Sequence, residues 1–205
     1  MPLHRLPIAL RRPVHAAALA CALGAAPAHA ATDDASPAWI HPLAGVLLTG
    51  TASDDKITVT NPDGSFATGN LGGRFEALAG AEFPIDPNGL SLRLTAGLHV
   101  TGNFQGQVGS EHLTSVPLEA TLWYPLSDQV RIGGGLRYAM HSRFSGAGAR
   151  TSDGLNPTPA LVMGVGYRLL PHLLLDMRYV YQRYEQPSGT DLDASHWGLG
   201  LTAMY

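Results

Sequence analysis

From Leu90 to Thr101, twelve residues alternate without a break. Leu90, Leu92, Leu94, Ala96, Leu98 and Val100 fall on one face, and Ser91, Arg93, Thr95, Gly97, His99 and Thr101 on the other. A period of two is the signature of a β-strand with one apolar and one polar side. Strands in globular proteins usually run only about 5–6 residues, so twelve in one phase restrict the choice of fold. Segments 43–51, 73–83, 115–126, 130–141, 160–169, 173–184 and 196–205 carry the same kind of pattern. That makes eight in all.

The chain is 45% hydrophobic, with a mean hydropathy near zero. Beyond residue 30 no run approaches the roughly 18 apolar residues that a membrane-crossing helix requires. Closed strands are the other way to cross lipid, because a barrel leaves no backbone group unpaired. Its sequence mark is a series of alternating segments of about ten residues separated by turns. The expected fold is therefore all-β, an eight-stranded antiparallel up-and-down transmembrane barrel over residues 40–205, after a short periplasmic lead-in at 31–39.

The connections support that plan. Short links with turn chemistry fall at Asp86-Pro87-Asn88-Gly89, Ser127-Asp128-Gln129 and Pro171-His172. Between them lie longer polar links at 52–71, 103–113, 145–156 and 186–195. Short turns on one side and long loops on the other are the arrangement of an outer-membrane barrel, with the turns in the periplasm. Lys56 to Thr60 also alternates; it either extends the first hairpin above the membrane or is a further strand. Both faces of 43–51 are apolar, so the pattern does not fix the register of the first strand.

At the N-terminus, Arg5, Arg11 and Arg12 precede an apolar stretch from Val14 to Ala26 and then Ala28-His29-Ala30. This is the layout of a secretory signal peptide, residues 1–30, cleaved after Ala30. Arg11-Arg12 lacks the surroundings of a twin-arginine signal, and Cys21 lacks the upstream leucine of a lipoprotein site. Residues 31–205 hold 10 basic and 16 acidic side chains, a balance unsuited to nucleic acid. The only cysteine, Cys21, leaves with the signal, so no disulfide is expected.

Placing the apolar faces toward lipid brings Phe83, Tyr124, Tyr167 and Tyr205 to one level, as a periplasmic aromatic girdle. Phe75, Tyr138, Tyr179, Tyr181 and Trp197 fall near the opposite rim. The same assignment sends Arg74, Glu76, Glu82, Arg93, His99, Glu119, Arg131, Arg137, His141, Arg168, Asp176, Arg178 and Gln182 into the lumen. If the Asp86–Gly89 turn pairs Glu82 with Arg93, it also sets Glu76 opposite His99. Arg168 is expected to face Asp176, and Glu119 to fall within one pairing step of Arg137. An eight-stranded barrel is just wide enough for its own side chains to fill, so these pairs imply a plugged polar lumen. Glycines 80, 97, 133, 135, 164, 166, 198 and 200 point the same way and make room for the long chains.

The mature chain resembles the small eight-stranded outer-membrane barrels of the OmpA-like, OmpX-like and opacity-protein type. The likeness rests on the signal peptide, the alternation of turns and loops, the girdles and the last strand. In Trp197 to Tyr205, Trp197, Leu199, Leu201, Ala203 and Tyr205 share one face, like the C-terminal signature that the barrel-assembly machinery recognises. The resemblance implies the outer membrane of a Gram-negative bacterium as location. It implies lipid and lipopolysaccharide as surroundings, and a monomer that meets any surface partner through its outer loops.

Enzymatic readings find little support in the residues. Lipid A deacylases place a His and a Ser two residues apart on one strand face, whereas His141 and Ser142 are adjacent and project to opposite faces. Outer-membrane aspartyl proteases are larger, ten-stranded barrels with paired acids at the rim, which this chain is too short to match. Asp191, Asp193, Ser195 and His196 at the mouth of the last strand are the next candidates for acid–base work, ahead of Ser110-Glu111-His112. Histidines 41, 99, 112, 141, 172 and 196 show no metal-ligand spacing, and Gly133-Gly134-Gly135 lies inside a strand, out of context for a nucleotide. No catalytic residue, cofactor or metal is therefore expected. The leading expectation is a non-enzymatic structural or surface-interaction barrel; the alternatives are a small solute channel lined by arginines and, behind it, a lipid A-modifying enzyme.

Overall fold

The computed structural model describes residues 39–53, 56–60, 66–70, 72–106, 109–145, 156–185 and 191–205. The expected signal sequence, its boundary at Ala30 and most of the lead-in lie outside the described residues. Eight strands form the barrel: β1 (His41–Thr51), β2 (Arg74–Pro84), β3 (Ser91–Gly106), β4 (Gly109–Pro125), β5 (Val130–Ser145), β6 (Ala160–Leu170), β7 (Leu173–Tyr181) and β8 (His196–Met204). Each pairs antiparallel with the next, and β8 returns to β1 in register from Leu43–Met204 to Thr51–His196, which closes the barrel.

Local chemistry sets the turns. Between β2 and β3, the Asp86 carboxylate accepts the Leu90 amide (2.8 Å), and Gly89 takes a φ of 90°, which favours glycine. Between β4 and β5, the Ser127 hydroxyl accepts the Val130 amide at 3.0 Å. The backbone carbonyl of His172, between β6 and β7, accepts the Met204 amide (2.9 Å) and ties that turn to the last strand. With this geometry the β2–β3 hairpin pairs Glu82 with Arg93 and Glu76 with His99, and the β4–β5 hairpin sets Glu119 directly opposite Arg137.

One choice left open by the sequence is resolved, and two details depart from the sequence reading. Lys56–Thr60 and Phe66–Asn70 form an outer hairpin that attaches to β3 through Ala67 and Thr68, so this segment extends the sheet outward and adds no barrel strand. Most of 103–113, expected as a loop, continues β3 and β4. Arg168 does not face Asp176: a register shift at Leu173/Leu174 pairs Leu174 with Arg168 and Asp176 with Gly166. The tight turn, which sets Leu170 opposite Leu173, supplies one residue of this two-residue offset, and an extra residue on β6 supplies the other; alternation alone carries no sign of the bulge.

Burial alternates along the strands. Leu94, Leu98, Leu118, Leu122, Ile132, Leu136, Leu161, Met163, Val165, Leu199 and Leu201 face outward, and Tyr124, Tyr138, Tyr167, Tyr179, Tyr181, Trp197 and Tyr205 are exposed with them. Phe75 and Phe83 lie on the same outward phase, half-buried. The first strand finds its register here: Leu43 and Leu47 turn inward against Leu78, and Val46 and Leu48 turn outward. A second small apolar patch inside joins Ala160, Val162 and Val180.

Candidate functional site

The polar interior divides into two layers. Near the periplasmic turns, Glu82 accepts hydrogen bonds from Arg93 Nε (3.0 Å), Arg131 Nη1 (2.8 Å) and the Ser91 hydroxyl (2.8 Å). Arg93 also reaches across the barrel from β3 to Asp176 on β7 (3.2 Å), whose same oxygen accepts the Thr202 hydroxyl at 2.6 Å. Asp176 pairs with Gly166 on one side and Gly200 on the other. The space this leaves is used: a Cβ at Gly166 would lie 3.0 Å from both Arg131 Nε and Asp176 Oδ1.

Trp123 is the centre of this layer, and the sequence reading did not single it out. Its ring is buried and lies 4.7 Å from the guanidinium carbon of both Arg93 and Arg131, a double cation–π contact. Its Nε1–H donates to Thr121 (2.9 Å). Gly133 and Gly164 admit the ring, since a Cβ at Gly133 would stand 2.5 Å from it and one at Gly164 2.9 Å. The signal was present in the chain: Trp123 is in phase with Glu119 and Thr121, and small residues occupy the neighbouring strands opposite it.

The second layer lies toward the outside. Arg137 Nη1 donates to Glu76 (2.8 Å) and Glu119 (2.6 Å), while Arg178 Nη1 donates to the other Glu119 oxygen (2.7 Å) and stands 3.9 Å from Glu76. These side chains are all nearly buried. Each layer thus contains two carboxylates and two guanidiniums and is neutral as a unit. Burying these charges is tolerable only because every one is matched.

The other expected lumen residues fall differently. Arg74 and Arg168 are in phase with the interior but sit exposed at opposite rims, where the strands run out into solvent. The side chain of His141 lies outside the described residues. Gln182 is buried at the outer end, and its backbone amide donates to Ser195 Oγ (3.3 Å).

The mouth of β8 is organised as a backbone cap. Asp193 accepts the Ser195 amide (2.7 Å), and Asp191 stands 3.7 Å from Arg183 with both side chains about half exposed. His196 turns inward, its Nδ1 donating to the Ala194 carbonyl at 3.0 Å, so its ring is not aimed at Ser195. It packs instead against His99, with ring centroids 4.7 Å apart. Glu76, His99 and His196 together offer three ligand atoms within 4.8 Å of one another. Spacing along the chain did not show this group, because three different strands supply it.

A closed eight-stranded barrel with an apolar, aromatic-banded exterior and a charge-matched interior defines the class of outer-membrane β-barrels. The chain belongs to the outer membrane protein beta-barrel domain family, whose profile matches residues 16–204. It is a transmembrane barrel of the Gram-negative outer membrane, surrounded by lipid. Among solved structures it is similar to the Neisserial surface protein A (16% identity; 82% of this chain and 96% of that one; TM-score 0.42). The Yersinia pestis attachment invasion locus protein Ail shares 13% identity, over 81% of this chain and 96% of Ail, with a TM-score of 0.42. The outer membrane protein AlkL, studied in lipid bilayers, shares 14%, over 86% of this chain and 95% of AlkL, with a TM-score of 0.47. None of the curated proteins matches the chain in sequence.

Proposed function

We propose that this protein is a non-enzymatic structural or surface-interaction barrel whose lumen is plugged and whose outer loops carry its contacts. One observation supports this above the rest: two neutral layers of Arg–carboxylate pairs span the interior, with ion-paired side chains at most 10% exposed. In this reading the signal peptide is removed after Ala30, and the last strand is delivered to the assembly machinery. The barrel stands as a monomer among lipopolysaccharide, with loops rich in Gly, Ser, Thr and Asp available to a surface partner.

The test is single-channel conductance of the refolded protein in a planar bilayer, with Arg93→Ala/Arg137→Ala beside it. Insertion without reproducible steps is expected for the wild type, and steps only for the double variant. Regular wild-type steps whose selectivity changes with the arginines would overturn the plugged reading. They would establish the second one, a small anion-selective path. That alternative draws support from guanidinium nitrogens of Arg93, Arg131, Arg137 and Arg178 that are buried with no protein partner. Grafting the four loops onto another barrel tests the surface role, since any adhesion must move with them.

A further inference from the structure

We propose that Glu76, His99 and His196 form a binding site for a transition-metal ion such as Zn2+, Cu2+ or Ni2+, inside the outer end of the lumen. All three residues are buried, and their ligand atoms lie within 4.8 Å of one another. Metal–ligand bonds of 2.0–2.1 Å in a tetrahedral site put ligands about 3.4 Å apart, so modest side-chain rotation closes the set. Two imidazoles and one carboxylate suit zinc, copper or nickel, whereas calcium and magnesium want oxygen alone.

The hydrogen bonds leave the right lone pairs. His196 donates from Nδ1 to the Ala194 carbonyl, so its Nε2 carries the lone pair, and that atom is buried with no partner. His99 Nδ1 faces Arg137 Nη2 at 3.3 Å; because a guanidinium only donates, Nδ1 is an acceptor and Nε2–H points to the Thr49 hydroxyl at 3.2 Å. Each ring is therefore held through its second nitrogen by an oxygen, the outer support that metal-ligating histidines generally have. Arg137 keeps its two shorter bonds to Glu76 and Glu119 if its long contact to His99 is given up. Glu76 Oε1 stands 3.9 Å from Arg178, outside hydrogen-bond range of that guanidinium. The three protein donors leave a fourth position for water. The ligands come from β2, β3 and β8, with β1 between β2 and β8, so the ion would clamp the seam where the barrel closes.

The protein, refolded in detergent micelles and stripped with EDTA, is titrated with Cu2+ and followed by electron paramagnetic resonance. Zn2+ is then titrated in competition with a chromophoric chelator. One equivalent per barrel is expected, with copper hyperfine structure from two nitrogens. His196→Gln, which keeps the volume but removes the imidazole, lowers affinity at least tenfold, and His172→Ala at the exposed turn leaves it unchanged. Folding of each variant is verified by heat-modifiable gel mobility; should His196→Gln fail to fold, the wild-type copper spectrum decides. Absence of stoichiometric binding, a spectrum without two nitrogen ligands, or equal affinity in folded His196→Gln overturns the site.

Discussion

Arg137→Met isolates the outer layer. The guanidinium is 1% exposed and shares one nitrogen between Glu76 at 2.8 Å and Glu119 at 2.6 Å. Without it, Arg178 alone stands against two carboxylates, well placed for Glu119 at 2.7 Å and distant from Glu76 at 3.9 Å. One negative charge is left unmatched in a buried site. Breaking a buried pair from one side costs about 3–5 kcal/mol, and that is the loss expected. Adding Glu119→Gln removes the unmatched charge and leaves Arg178 with Glu76, so the double variant regains about 2 kcal/mol or more. Urea unfolding of the refolded barrel in lipid vesicles, followed by tryptophan fluorescence and by gel mobility without heating, measures both. A single variant within about 1 kcal/mol of wild type, or a double variant no better than the single, refutes charge matching as what holds this layer together.

Trp123→Ala removes a buried ring and two cation–π contacts, so a loss of about 3–5 kcal/mol is expected in the same assay. Gly133→Val drives a methyl-bearing carbon into that ring, 2.5 Å away, and lowers stability in wild type but much less in Trp123→Leu; equal effects in both backgrounds contradict the contact. Leu136 and Leu126 are each 58% exposed, yet Leu136 lies in the middle of β5 and Leu126 at the periplasmic turn. Arginine at 136 therefore costs about 2–4 kcal/mol and at 126 about 0–1 kcal/mol in vesicle unfolding, and similar costs at the two positions argue against this placement in the bilayer.

The legible parts of this chain were those encoded by period and turn. Alternation fixed which face of Leu90–Thr101 is polar, and the turn at Asp86–Gly89 carries enough geometry to pair Glu82 with Arg93. At Pro171-His172 the tight turn and the bulge at Leu173/Leu174 each shift the register by one residue, so the pattern misplaces the partner of Asp176 by two, because a bulge leaves no mark in hydropathy. β1 was ambiguous because its inner face meets Leu78 and is as apolar as its outer one. Trp123 is adjacent to outward-facing Tyr124, and only its phase with Glu119 and Thr121 marks it as inward. Contacts between strands distant in sequence, such as Arg93 with Asp176 or His99 with His196, depend on closure and stagger, which no local pattern contains.

The eight ionised groups of the two layers are unevenly divided along the chain. The first four strands supply Glu76, Glu82 and Glu119 with the single guanidinium of Arg93; the last four supply Arg131, Arg137 and Arg178 with the single carboxylate of Asp176. Each half of the chain is thus charged against itself and complementary to the other. An assembly intermediate with only β1–β4 in the membrane has an acidic inner face that nothing neutralises until the basic half arrives. Two copies of the same half repel, which disfavours swapped dimers and favours closure of one chain upon itself. Fragments separated at the Ser127–Gln129 turn should accordingly combine with each other in preference to themselves, and less selectively as salt is raised.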